Sequence, residues 1–270
     1  MANTSAIFIF VISALLVISA KAFEEVKFGY DGATKPALWA SLHPAFKDCS
    51  HGSNQSPINI VKGDLTLNKD LPPLTRNYKQ ANASLINDGN RVMLRWAEDA
   101  GELLSDGKSN MLKELYWHLP SEHTINGERF PLEVQLYHES KDGNISMLSI
   151  LYQYGGPDPF LSQMEEQLKE LAEDNCSEDE EAVVPLEAVK TKQLRRNTLK
   201  YYTYLGSLTT PPCTENVTWN ILGKVREFSK EQEIALKAPL EKGYLQNSRP
   251  LQSLNGREVQ LYTAATTGDN

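Results

Sequence analysis

The sequence is short of basic charge, cysteine and histidine, and each shortage narrows the function classes that remain. Its 270 residues hold 27 Lys and Arg against 35 Asp and Glu, a net charge of -8. An acidic chain repels phosphate backbones, so nucleic acid is not an expected partner. With 40% apolar and 23% charged residues, the composition is that of a globular protein and excludes disorder, coiled coil and collagen for the whole chain.

Long uncharged runs are also missing, except at the N terminus. Residues 6–20 carry no charge, and Ala20-Lys21-Ala22 supplies a small-x-small cleavage pattern before Phe23-Glu24-Glu25. The run is too short to cross a bilayer, and no other run approaches the ~20 residues that a membrane helix needs. We therefore expect residues 1–22 to be a signal peptide, cleaved after Ala22. Residues 23–270 would form a single domain that enters the secretory pathway, toward the vacuole or the extracellular space, with no membrane partner.

The secretory route is oxidising, which gives weight to the three cysteines, Cys49, Cys176 and Cys213. Three cysteines cannot all pair within one chain, so one remains for an intermolecular disulfide or as a free thiol. Glycosylation is permitted at sequons that include those beginning at Asn82, Asn144, Asn175 and Asn216.

Turn signals and alternating apolar residues predict one sheet-dominated domain with few helices. Asp88-Gly89 and Asn126-Gly127 each suit a tight hairpin turn. Helices are expected at 160–172 and at 229–236, the second with a Ser229…Gln232 capping box. Strands are predicted at 83–86, 91–96, 112–118, 132–139, 147–154, 199–205, 217–222 and 258–262.

A cluster of chemistry-bearing residues follows from strand geometry. Residues two apart on a strand share a face, so Tyr116 and His118 project together. If strands 112–118 and 132–139 are neighbours, Gln135 joins them at one point. Further along the chain, the Pro-rich segment 208–213 would add the hydroxyls of Thr209 and Thr210 on a rigid loop.

Several long stretches, in order, resemble the α-class carbonic anhydrase family over residues 28–262. They are GSNQSPINI at 52–60, WHLPSEHTINGE at 117–128, LEVQLYHE at 132–139, GSLTTPPC at 206–213 and NSRP at 247–250. The resemblance implies a mainly β fold, with a ten-stranded, twisted, mostly antiparallel central sheet and a few peripheral helices. It also implies a zinc ion on three histidines that hydrates CO₂ through a bound hydroxide. Cys49 and Cys213 match a disulfide pair of secreted members, which leaves Cys176 over.

The chain departs from the family at the residues that hold zinc. Of the three ligand positions, Tyr116, His118 and Gln135, one alone is histidine. Tyrosine binds zinc well as phenolate, which is costly with a pKa near ~10, and a glutamine oxygen is a weak zinc ligand. The family's proton-shuttle histidine is replaced by Asn90, which does not titrate. We expect no tightly bound zinc and no other cofactor, with zinc present only if the degenerate site still binds it.

Other parts of the family's site are retained. Glu122 and Thr209 match the pair that orients the zinc-bound hydroxide, and Glu133 matches the acid behind the third ligand. Two interpretations stay open: a surviving polar pocket, or buried groups that now only satisfy each other's hydrogen bonds. His123 and His138 match buried structural positions, and a relocated metal site on them would need a shift of strand register.

Within the family, this combination resembles the dioscorin group, the tuber storage proteins of yams. The resemblance implies storage on an abandoned enzyme scaffold. A second hypothesis is reduction of dehydroascorbate or monodehydroascorbate in the old pocket, where hydroxyls and amides suit a small polar partner such as ascorbate or dehydroascorbate. Residual zinc-dependent CO₂ hydration and trypsin inhibition are the alternatives.

Cys176 enters the functional hypotheses in two ways. Its acidic neighbours disfavour the thiolate, so an external thiol such as glutathione is the better electron source for a reductase. As the leftover cysteine, Cys176 predicts a homodimer, with a free thiol as the alternative. The short basic cluster at Lys190, Lys192, Arg195 and Arg196 is interpreted as an exposed face in preference to an anion site.

Overall fold

The computed structural model describes residues 26–105, 107–173, 181–195 and 198–264. The signal-peptide prediction and Cys176 lie outside these residues. The strands of the described part, β1–β16 in chain order, are Asn59–Ile60, Thr66–Leu67, Thr75–Arg76, Ala81–Asn87, Val92–Trp96, Glu102–Ser105, Lys108–His118, Thr124–Ile125, Glu128–Arg129, Leu132–Ser140, Ile145–Tyr154, Ala182–Val189, Lys200–Ser207, Glu215–Leu222, Arg226–Phe228 and Gln260–Thr263. The α-helices, α1–α4, are Trp39–Leu42, Asp48–His51, Glu165–Glu173 and Lys230–Lys237. Short 3₁₀ helices are Gly32–Thr34, Pro36–Leu38, Pro44–Phe46, Lys62–Asp64, Leu161–Met164, Lys192–Arg195 and Lys242–Tyr244.

One large sheet organises the described residues. Ten of its strands follow the order β12-β4-β5-β7-β10-β11-β14-β13-β16-β2, with β3, β6 and β15 attached beside this path. Most neighbours are antiparallel, whereas β11 pairs in parallel with β14 and β15, and β16 with β2. The fold class that the resemblance implied is therefore confirmed, with a mixed sheet. A small second sheet joins β1, β8 and β9.

Both predicted tight turns connect hairpins. In the first, β4 pairs antiparallel with β5, and Asp88 Oδ1 accepts hydrogen bonds from the backbone N–H groups of Asn90 and Arg91. Gly89 adopts φ +82°, a conformation that costs glycine little. In the second, β8 pairs with β9 across Asn126-Gly127. The turn chemistry therefore fixed two hairpins from local sequence alone.

Both predicted helical segments are found. Ser229 caps α4 with the reciprocal Ser229–Gln232 capping box that the sequence indicates. Residues 160–172 form the 3₁₀ turn Leu161–Met164 followed by α3, and Met164, Leu168 and Leu171 are buried against the sheet. Among the described residues, no helix is long and apolar enough to span a membrane.

The sheet has buried residues on both faces. One face carries the larger apolar core beneath α3 and α4, which includes Leu115, Leu136 and Ile150. The other face carries a second cluster that contains Met93, Tyr116 and Trp219 next to the polar residues described below. Cys49 and Cys213 form the disulfide that the resemblance implied, packed with Trp39, and it ties α2 to the loop before β14.

Candidate functional site

The three residues at the zinc-ligand positions come together through the pairing of β7 with β10. These strands are antiparallel, with Gln135 opposite Tyr116 and Glu133 opposite His118. Side chains that alternate along each strand therefore place Tyr116, His118 and Gln135 on one face, as the sequence predicted. All three are buried, since none is more than 7% exposed.

His118 keeps one ring nitrogen without a partner. Its Nδ1–H donates to the backbone carbonyl of Asn247 at 2.8 Å, which fixes the ring orientation and, in the neutral ring, leaves a lone pair on Nε2. Nε2 is buried and makes no hydrogen bond among the described residues. A buried acceptor without a partner is uncommon in folded proteins, so this atom marks the place where a ligand, a water or a metal would bind.

Gln135 is tied to two buried carboxylates. Its Nε2 donates to Glu122 Oε2 at 2.8 Å and to Glu133 Oε1 at 3.0 Å. Because carboxylate oxygens only accept, the amide nitrogen must be the atom that faces them. Glu122 also accepts a hydrogen bond from the backbone N–H of Arg249 at 2.9 Å. Gln135 therefore acts as a neutral bridge between two acids.

Glu133 is the best-satisfied carboxylate of the group. It accepts from the backbone N–H groups of Glu122 and His123, from His123 Nδ1 and from Ser149 Oγ, all at 2.8–2.9 Å. Burial acts to raise the pKa of Glu133, but the neighbouring His123 and these hydrogen bonds outweigh it and lower the pKa to about 2. Glu133 is therefore ionised at neutral pH.

The hydrogen-bond network continues from His123 to Tyr204. Its Nε2 lies 2.8 Å from the Tyr204 hydroxyl, which lies 2.8 Å from Ser56 Oγ. Burial raises the pKa of Tyr204 well above its ordinary value, so the phenol keeps its proton. Both ring nitrogens of His123 are thus engaged, and His138 is likewise buried between Tyr78 and Ser146. The ring nitrogens of both histidines therefore have hydrogen-bond partners inside the protein.

Tyr116 turns its hydroxyl to a different acid. The phenol donates a hydrogen bond to Glu114, and the Arg91 guanidinium lies 4.0 Å from the centre of the ring. Burial raises the pKa of Tyr116 well above its ordinary value, and the charge of Glu114 adds to this effect, against the opposing Arg91. The phenolate that zinc would require is therefore strongly disfavoured at neutral pH.

The loop between β13 and β14 carries the last two candidate residues, Thr209 and Thr210. Thr209 and Thr210 are buried, and the loop is held by Leu208 N–H to Thr214 O and Cys213 N–H to Thr210 O. Among the described residues, the Thr209 hydroxyl makes no hydrogen bond to Glu122. The interpretation that Glu122, Glu133 and Thr209 satisfy each other's hydrogen bonds therefore does not extend to a Thr209–Glu122 contact, whereas the backbone N–H of Glu122 does donate to Glu133. Gln135 supplies the link between the acids, because its amide lies between them.

Tyr116 contacts two residues that the sequence analysis missed, and Asn90 precedes one of them in the chain. Asn90 is half-buried after the β4–β5 turn, and its carbonyl accepts a long 3.5 Å hydrogen bond from Asn247. Arg91 and Glu114 are the missed contacts of Tyr116. Glu114 is two residues before Tyr116 on the same strand, so period-two spacing could have identified it. Arg91 depends on strand pairing and has no local signal.

The site has no ready-made set of anionic or imidazole donors for a metal. Within the described ranges, no three His, Cys, Asp or Glu side chains are grouped to hold a metal ion. Five surface cavities of about 220–670 Å³ in the described part are lined by other residues than the candidates Tyr116, His118, Gln135, Glu122, Thr209, Thr210 and Asn90.

Comparison with known proteins agrees with this geometry. The family model for eukaryotic-type carbonic anhydrase matches residues 34–263. The chain belongs to this family. It is 38% identical over 241 residues to alpha carbonic anhydrase 7 of Arabidopsis thaliana, covering 88% of this chain and 86% of that protein. It is 35% identical over 266 residues to dioscorin DB3L of Dioscorea polystachya, covering 97% and 96%.

A solved structure gives the same relationship in three dimensions. A crystal structure of dioscorin complexed with ascorbate superposes with a TM-score of 0.84 at 36% identity, covering 89% of this chain and 100% of that one. The chain therefore shares its fold both with a protein named alpha carbonic anhydrase and with proteins named dioscorin. The side chains at positions 116, 118 and 135 distinguish the functions that this shared fold could support.

Proposed function

We propose that this carbonic anhydrase homologue is a dioscorin-like storage protein whose former zinc pocket no longer holds a catalytic zinc. One observation carries the proposal: of the three side chains at the ligand positions, His118 alone is an imidazole, and its buried Nε2 has no hydrogen-bond partner among the described residues. A catalytic zinc needs three good protein donors and an open position for water. No catalytic step through a zinc-bound hydroxide follows from these residues.

The other two positions fail the zinc site for different physical reasons. Burial raises the pKa of Tyr116, so its hydroxyl stays protonated and donates a hydrogen bond to Glu114. Gln135 directs its amide nitrogen at two carboxylates, and its remaining oxygen is a neutral, weak ligand for zinc. Replacing either residue with histidine alone leaves the other defect in place.

Zinc content tests this part of the proposal. After dialysis against metal-free buffer, elemental mass spectrometry is expected to give near zero zinc per mole, with no chelator-sensitive CO₂ hydration. The variant Tyr116→His/Gln135→His supplies three imidazoles and is expected to bind close to one zinc. Tyr116→Phe is the matched control and stays free of zinc. About one zinc per mole in the unmodified protein would contradict the proposal and favour carbonic anhydrase activity.

Storage itself predicts abundance followed by consumption. Quantitative immunoblots of the source tissue are expected to show a major protein that declines when nitrogen is remobilised. A constant, low level would argue against storage. N-terminal sequencing of the tissue protein tests the secretory route, because cleavage after Ala22 leaves Phe23 as the first residue.

The polar side chains at the former zinc site are the second part of the proposal. We infer that they bind a small polyhydroxylated molecule such as ascorbate, which a solved dioscorin structure holds. His118 Nε2 would accept a ligand hydroxyl, and Asn90, Thr209 and Thr210 would supply further polar contacts. Calorimetric titration with ascorbate is expected to show binding that His118→Phe weakens and that His51→Gln, at an exposed histidine, does not. Equal binding by the two variants would place the ligand elsewhere.

Reduction of dehydroascorbate is the candidate activity of the same pocket. The balanced reaction takes two electrons and two protons from two glutathione thiols, giving ascorbate and glutathione disulfide. This reductase is expected to depend on external thiol and to survive Cys176→Ser. Loss of turnover in Cys176→Ser would instead assign the chemistry to that cysteine. Titration against trypsin settles the remaining alternative, inhibition of a protease.

A further inference from the structure

A group of four cations lies outside the site described above. Arg76 comes from β3, Lys200 begins β13, and Lys224 and Arg226 flank the turn into β15. Arg76 is only 6% exposed, which is unusual for a charged side chain. Burial lowers the pKa of Arg76 to about 10, so the guanidinium still carries its charge at neutral pH.

The buried guanidinium is not fully satisfied. Arg76 Nη2 donates to Thr198 Oγ1 at 2.6 Å. Its Nε and Nη1 are buried and have no hydrogen-bond partner among the described residues. Burying a charge without partners is costly, and native proteins usually satisfy such donors. Among the described residues, no acidic side chain forms an ion pair with this guanidinium.

Thr198 connects Arg76 to a cavity of about 250 Å³. The cavity is lined by Thr198, Leu199, Lys200, Leu222, Gly223, Lys224 and Arg226. Because Thr198 Oγ1 accepts from Arg76, its own O–H is left to donate to a ligand. A Cβ at Gly223 would lie 2.8 Å from Lys200 Cγ, so glycine leaves the space that the Lys200 side chain occupies.

Two carboxylates beside these cations accept hydrogen bonds from backbone N–H groups. Asp158 and Glu227 line an adjoining cavity of about 340 Å³ that shares Lys224 and Arg226. Asp158 Oδ1 accepts from the backbone N–H groups of Phe160 and Leu161, and Glu227 accepts from Gly156. In the part of the chain that the structure describes, no salt bridge joins the four cations to an acidic side chain.

We propose that this cavity is a binding site for a phosphate group, held by Lys200, Lys224 and Arg226, with the Thr198 hydroxyl as a donor and Arg76 behind it. Two lysines and an arginine suit a phosphate group, because lysine binds phosphate as a point charge and arginine pairs with phosphate oxygens through parallel N–H groups. The basic cluster noted in the sequence supplies further positive charge just before the site, through Lys190, Lys192 and Arg195. The free ion and the headgroup of a monoester share this chemistry.

Titration with phosphate at constant ionic strength tests the site. The Nε–H signal of Arg76 in ¹⁵N spectra is expected to shift, and the melting temperature to rise with phosphate concentration. Sulfate is expected to act similarly, and acetate to have little effect. Lys224→Gln removes an exposed charge and is expected to weaken phosphate binding about threefold. Lys62→Gln, with the same charge change at another exposed lysine, is the matched control.

Several outcomes would overturn the site. One is an Arg76 signal that does not move at about 50 mM phosphate, where even a millimolar site is filled. Others are an equal response to acetate, or equal phosphate binding by Lys224→Gln and Lys62→Gln. Arg76→Met should abolish the thermal response; if it does not fold, Lys224→Gln decides alone. Phenyl phosphate separates the two sources, since tighter binding identifies an ester that covers Leu199 and Leu222, and equal binding identifies free phosphate.

Discussion

Replacing Gln135 with methionine tests whether this residue is now a structural bridge. The side chain is 1% exposed, and its amide donates to Glu122 and Glu133 at 2.8 and 3.0 Å. Methionine keeps the length of the side chain but cannot donate. Both carboxylates then lose a partner in a site that water barely reaches.

The expected loss can be worked from these two contacts. A hydrogen bond to a charged group contributes about 1.5–3 kcal/mol, and leaving the buried acceptor unsatisfied accounts for most of that cost. Glu133 keeps its contacts to His123 and Ser149, so its share falls at the low end. Gln135→Met should therefore lower the free energy of unfolding by about 3–5 kcal/mol, measured by urea denaturation at pH 7.

A double-mutant cycle with Glu122→Gln serves as the control. In the Glu122→Gln background, the same Gln135→Met change should lower the free energy of unfolding by at least about 1 kcal/mol less than in the unmodified protein. The reason is that an unsatisfied neutral acceptor costs less than an unsatisfied carboxylate. A loss below about 1 kcal/mol in the single variant would refute the reasoning. It would mean that water or rearranged donors already satisfy both acids.

Further predictions concern the rest of the molecule. Removing the disulfide by Cys49→Ala/Cys213→Ala frees a loop of 164 residues and should cost about 5 kcal/mol of unfolding free energy in denaturant titrations; an unchanged midpoint would argue against it. Burial lowers the pKa of His138 to about 4, so its unfolded form protonates first and stability falls as the pH drops from 6.5 to 4. Unfolding curves across this window should show that the free energy of unfolding falls by about 3 kcal/mol at most. His138→Gln should remove this pH dependence. An equal fall in the variant would assign the pH dependence to other groups. Cys176 should give a dimer on non-reducing gels that reduction collapses, and a monomer under both conditions would exclude it.

The hairpins and the capped helix were predictable because their signals are local. Asp88-Gly89 and Asn126-Gly127 encode turns, and Ser229 with Gln232 encodes a helix start. The small sheet, the edge strand β12 and the parallel pairs of β11 were not predicted. These depend on partners far along the chain, and short runs of apolar residues do not state which partner they meet.

The candidate site shows the same division. The residue types at 116, 118 and 135 already argue against a zinc ion, since phenol and amide are poor ligands whatever surrounds them. Their convergence needed only period-two alternation and one assumed strand pair, which β7 and β10 supply. The hydrogen-bond partners of these side chains could not be predicted from the sequence. The amide of Gln135 can contact either carboxylate, both or neither, and only the folded backbone decides which.

The sequence by itself determined the chemical types in the pocket, the leftover cysteine and the acidic charge, because these are properties of residues and not of positions. The tertiary structure alone decided which groups are satisfied. It ties the amide of Gln135 to two acids and the hydroxyl of Tyr116 to a third. Within the part of the chain that the structure describes, it leaves His118 Nε2 and two nitrogens of Arg76 without hydrogen-bond partners. Hydrogen bonding inside a protein depends on ångström distances between residues remote in the chain, and only the folded backbone sets those distances.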